Sequence, residues 1–137
     1  MSRRSDQRRA AVFALYQHDL TGRELDDVFE RDASTFTRAL AYAAQDYVED
    51  LDARIARHAH GWTLDRIAPL ERAIMRIALL EILHPDAAPS DVPIPPEGAI
   101  SEAVETAKRF CGSEAPGFVN GILAAALREI GENGAHR

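Results

Sequence analysis

Between Pro69 and Pro85 the chain carries neither glycine nor an interior proline, and it is the most apolar stretch of the sequence. Leu70, Ile74, Ile77, Ala78, Leu80 and Ile82 fall on more than one face of a 3.6-residue repeat, so a helix from Leu70 to Leu83 has to be covered from several sides. Pro69 suits the first helical position, where its missing N–H would be unpaired in any case. His84 precedes Pro85 and is pushed out of helical geometry, which stops the helix there. No segment of the chain alternates convincingly with period two, so the elements that cover this central helix are themselves helices.

The flanking segments supply them. Ser5 is placed to cap a first helix to about Leu20, with Val12, Leu15, Tyr16 and Leu20 at core spacing and Gly22 as the stop. A short amphipathic segment follows at Leu25, Val28 and Phe29. Ser34 then caps what reads as the longest helix, Thr35 to Ala59, in which Phe36, Leu40, Ala44, Tyr47, Leu51 and Ile55 step by three or four residues; Gly61 ends it. A brief helical turn spans Thr63 to Ile67. Residues 84–96 hold five of the seven prolines and form a stiffened loop. A sixth helix runs from about Glu97 to Phe110 and a seventh from about Pro116 to Ile130, with Phe118, Val119, Ile122, Leu123, Ala126 and Leu127 inward. The expected fold class is all-α, about seven helices without internal repeats.

A length of 137 residues supports one globular unit. No apolar run approaches the roughly 20 residues that span a bilayer, and Gln7, Arg8 and Arg9 interrupt any secretion-type apolar stretch near Met1, so a cytoplasmic protein with no membrane association is expected. Cys111 is the single cysteine, which excludes an internal disulfide. His58 and His60 are two residues apart and project about 200° from one another on a helix, which argues against a metal site. No serine elbow, phosphate loop, dinucleotide fingerprint or paired-histidine motif is present, so neither catalysis nor a cofactor is expected. Glu71, Glu81, Glu102 and Glu105 read as helix-surface carboxylates. In the central helix, Arg76 and Glu81 suit structural ion pairing, while Glu71, near the helix start, stays open to a partner.

The formal charge is −6, yet Arg3, Arg4, Arg8 and Arg9 against Asp6 give the first nine residues +3, so the rest of the chain carries about −9. Clustered guanidinium groups can follow phosphates, and Tyr16 on the same helix can stack on an unpaired base. A frayed basic tail and a core tyrosine are the competing readings. Four arginines on an acidic body give modest, salt-sensitive binding, so tight recognition calls for a second subunit.

Taken in order, Arg8-Arg9-Ala10 to Ala14-Leu15-Tyr16, Trp62-Thr63-Leu64-Asp65-Arg66, Glu71 through Ala78 to Glu81, Ile100 through Phe110, and Phe118-Val119-Asn120-Gly121-Ile122-Leu123 make the chain resemble the NusB family. The resemblance covers nearly the whole chain and is weakest between Gly22 and Ala59. It implies two small helical subdomains, roughly residues 1–61 and 62–137, in one globular unit. It also implies a non-enzymatic factor in transcription antitermination of ribosomal RNA operons, which pairs with the small-subunit ribosomal protein NusE, binds boxA RNA and joins a complex on RNA polymerase. Carried over by position, Arg8, Tyr16 and the loop at Gly112, Ser113 and Glu114 lie at the RNA face, and Glu71 and Glu102 lie toward the ribosomal protein. Ser101, Cys111 and Gly117 depart from residues usual in the family.

Read physically, Pro116 and Gly117 shape the start of the last helix, Phe118 and Ile122 suit the core, Gly121 permits close approach of another helix, and Asn120 can bond the preceding loop. Phe118 to Gly121 therefore reads as chiefly a packing motif. Two alternatives stay open: the helical module of a ribosomal-RNA cytosine methyltransferase, and a structural helical interaction protein. Monomer and homodimer are both compatible with the sequence.

Overall fold

The computed structural model describes residues 3–90 and 92–135. Its elements are α1 (Arg4–Thr21), α2 (Leu25–Val28), α3 (Thr35–Asp46), α4 (Val48–His58), a single 3₁₀ turn (Leu64–Arg66), α5 (Pro69–Leu83), α6 (Pro96–Phe110) and α7 (Ala115–Ala135), with no strand among the described residues. No helix among them is long and apolar enough to cross a membrane.

Helix α5 is the hub. Every residue from Ala73 to Glu81 is buried, and α1, α3, α4, α6 and α7 all pack on it. Leu79, Leu80, Ile74 and Met75 are among the most completely buried side chains, each worth about 1.5–3 kcal/mol of apolar transfer. The core they belong to is continuous from Ala11 on α1 to Ala126 on α7.

Buried charges are paired across helices. Arg76, on the hub, donates to both oxygens of Asp52 on α4 at 2.7 and 2.8 Å and to Asp19 on α1 at 2.7 Å. Burial alone would lower the pKa of this guanidinium, but Asp52 and Asp19 overcome that and raise it. Arg8 and Glu81 form a second pair, joining α1 to α5 at 2.7 Å.

Several sequence expectations change. The segment read as one helix from Thr35 to Ala59 is two helices that break at Tyr47, whose φ of −101° and ψ of 13° leave helical geometry. Neither glycine nor proline marks the break. The Tyr47 ring instead stacks on the His84 ring at the end of α5, centroids 3.9 Å apart, and the turn lets α3 and α4 both reach the hub. Ser5 is not the first cap: α1 starts at Arg4, and the Ser5 hydroxyl donates to Glu102 Oε1 at 2.7 Å. Leu20 is 56% exposed rather than in the core, although its neighbour Asp19 still pairs with Arg76 of the hub. Within the last helix Val119 and Ile122 are buried and Phe118 packs against the core, but Asn120 and Gly121 are exposed. Nothing lies within 4 Å of where a Gly121 side chain would project, so no described helix approaches it. Asn120 makes no side-chain hydrogen bond to a described residue.

Candidate nucleic-acid interface

The four arginines at the start of α1 have different surroundings. Arg3, in extended backbone, precedes the helix and is exposed. Arg4 is also exposed; it donates to Gln7 Oε1 at 2.6 Å and its guanidinium lies 4.1 Å from the Phe36 ring centroid. Arg8 is drawn inward: its side chain is 11% exposed, it donates to Glu81 Oε1, and its guanidinium lies 5.3 Å from the same Phe36 centroid. Arg9 is largely buried beside Asp6 at 3.3 Å, and its Nε has no hydrogen-bond partner among the described residues. Free positive charge at this end therefore comes mainly from Arg3 and Arg4. Tyr16 is half-buried and packs against the core.

The Arg8 pair sits in a mixed field. Burial raises the Glu81 carboxyl pKa, Arg8 opposes that, and the charge of Glu102 adds to the rise. Glu102 lines the same narrow crevice between α1, α5 and α6 as Arg8, Arg9 and Glu81, and it accepts the Ser5 hydroxyl.

Glu71 stands elsewhere, in an open cleft of about 550 Å³ formed by the start of α5, the segment before it and the turn between α6 and α7. Gly112, Ser113 and Glu114 form one rim and are exposed. The Glu114 carbonyl accepts the Phe118 N–H at 3.2 Å, so this turn is fixed to the first turn of α7. Trp62, 52% exposed, meets Phe118 edge-to-face with centroids 6.2 Å apart, which gives the cleft an aromatic wall. Arg66 is exposed and makes no ion pair to a described residue. Glu71 is half-buried and likewise makes none, and burial raises its pKa. Burial also raises the Cys111 thiol, with the charge of Glu71 adding to the shift. An aromatic wall with a cation and a carboxylate that lack ion-pair partners among the described residues suits binding of an amphipathic ligand; no described nucleophile is paired with a base here.

The structure thus regroups the residues singled out in the sequence. Glu71, expected toward a protein partner, shares a cleft with the loop expected at RNA, whereas Glu102 keeps company with Arg8 and Arg9. Sequence reading missed Trp62 and Arg66 as cleft residues, although the single tryptophan, four residues before Arg66 in a helix-poor stretch, was the available signal.

The transcription antitermination protein NusB of Symbiobacterium thermophilum is 36% identical, over 93% of this chain and 90% of that protein. The fold is similar to that of T. maritima NusB, with a TM-score of 0.79 and 28% identity over 93% of this chain and 92% of that one. It is also similar to a chain in the crystal structure of antitermination factors NusB and NusE in complex with dsRNA, with a TM-score of 0.77 and 25% identity over 92% and 96% of the two chains. The sequence model of the NusB family matches residues 5–128, an interval that takes in Arg8 and Arg9 of α1, the hub helix and the 112–114 turn, and the chain belongs to that family.

Proposed function

We propose that this protein is a transcription antitermination factor that acts by binding rather than by catalysis. It binds boxA RNA of ribosomal RNA operons together with the ribosomal protein NusE, and the pair joins a complex on RNA polymerase. The observation that carries the reading is the match to the NusB family over residues 5–128, in a chain that bears exposed arginines at the start of α1 and, separately, an open aromatic cleft at the 112–114 turn. Similarity to a NusB chain whose crystal structure contains NusE and dsRNA supports both partners. The protein is acidic overall, at −6, so phosphate binding by Arg3 and Arg4 is local and weak alone; a second subunit supplies further basic surface.

Titration of boxA RNA at two salt concentrations, with and without NusE, tests this. NusE should tighten binding. Replacing Arg3 and Arg4 together by glutamine should weaken it and reduce the salt slope by about 0.7 for each phosphate that is no longer neutralised. Absence of RNA binding in both the lone protein and the mixture overturns the reading. Arg3 and Arg4 are better probes than Arg8, whose bond to Glu81 confounds binding with folding.

A further inference from the structure

Phe110, the last residue of α6, is 43% exposed. Phe13 on α1 meets it edge-to-face, with ring centroids 5.1 Å apart and planes at 89°. Two guanidinium groups stand by the same ring: that of Arg9 at 5.8 Å from its centroid and that of Arg109 at 5.4 Å. Asp6, paired with Arg9, is the acidic group beside this cluster, while Arg109 and the neighbouring Lys108 are exposed and make no ion pair to a described residue. The buried Nε of Arg9, which has no hydrogen-bond partner among the described residues, belongs to the same cluster.

Packing alone accounts poorly for this combination. A phenylalanine serving only to fix α6 to α1 would be covered, and exposed cations around it would be paired or scattered. Here a partly exposed aromatic ring has beside it the exposed Arg109, which makes no ion pair to a described residue, an arrangement that single-stranded nucleic acid binds by stacking a base on the ring and laying a phosphate on the cation. Position adds to the argument. The cluster joins the α1 arginines to the turn at Gly112–Glu114, since Arg9 and Phe13 lie on α1 and Phe110 sits two residues before Gly112. A strand of RNA reaching from one to the other would cross it.

We propose that Phe110, supported edge-on by Phe13 and flanked by Arg9 and Arg109, is a stacking station for one base of single-stranded RNA. The proposal rests on the RNA-binding reading above and adds to it a specific contact that links the two ends of the interface. Stacking accepts any base, so the station adds affinity and register with little sequence preference.

The test uses the full chain, with and without NusE, and a fluorescent boxA RNA oligonucleotide. Phe110→Leu keeps apolar contact with Phe13 and removes the π face; it should weaken RNA binding about 5- to 30-fold, in the range of losing one base–aromatic stack. Phe110→Tyr should bind like the unaltered protein. Abasic substitution along the RNA should then locate one position where removing the base costs the unaltered protein as much as Phe110→Leu does, and costs Phe110→Leu nothing further. That readout survives even if Phe110→Leu lowers the melting temperature, because it compares RNAs on one protein. RNA affinity unchanged in Phe110→Leu, or a loss confined to NusE binding, overturns the station. If glutamine at Arg3 and Arg4 weakens RNA binding while Phe110→Leu does not, the station alone fails; if the unaltered protein binds no RNA, both readings fail.

Discussion

Glu71 shows how one half-buried carboxylate reports on its surroundings. Its folded-state pKa lies above the ordinary 4.5 because burial disfavours the charge and no described ion-pair partner compensates. The folded protein therefore holds this proton more tightly than the unfolded chain does, and stability present below the unfolded value is lost as pH rises through the folded one. Thermal melts of Glu71→Gln and the unaltered protein should nearly coincide close to pH 4 and separate in favour of the variant on the way to about pH 7. A constant difference across that range would place Glu71 in ordinary solvent. The sequence left this residue open because its helical position gives its place on α5, whereas the depth of the cleft around it depends on Trp62, Arg66 and the 112–114 turn.

Caps and breaks belong to the element. Ser34 was legible as a cap, and its Oγ accepts the Thr37 N–H at 3.0 Å. The same hydroxyl donates to Thr37 Oγ1, which donates in turn to the Gln7 carbonyl on α1, so the start of α3 is anchored to α1. Ser34→Ala should cost about 1 kcal/mol, or somewhat more through loss of that relay, as read from urea denaturation. Tyr47 was illegible as a break because the apolar spacing from Phe36 to Ile55 continues through it. The turn there depends on its contact with His84 and on two helices having to meet one hub, both of which are long-range facts.

At the scale of the whole molecule, Arg8 and Glu81 join the N-terminal helix to the hub. Removing one partner leaves the other largely buried and unpaired, so Arg8→Met should destabilise by on the order of 3 kcal/mol, while the double variant Arg8→Met with Glu81→Met should recover most of the loss. Chemical denaturation of the unaltered protein, the two single variants and the double variant measures the coupling. If the single and double variants were equally destabilised, Arg8 would act through its stem and the Phe36 contact rather than through its charge. This pair also explains why a basic cluster in sequence is not four equal cations in space.

Local physics sufficed for much of the architecture. The covered faces between Leu70 and Leu83, the Ser34 cap, the Gly22 stop with its φ of 73° and the order of the helices follow from period, proline and glycine, which act within a few residues. The ordered motifs were enough to point to the NusB family. Tertiary structure decided which side chains share an environment: it sent Arg8 to Glu81, brought Glu71 to the Gly112–Glu114 rim, set Phe13 against Phe110 and left Asn120 and Gly121 facing outward. Burial and charge pairing depend on groups far apart along the chain, so no reading of local period could assign them.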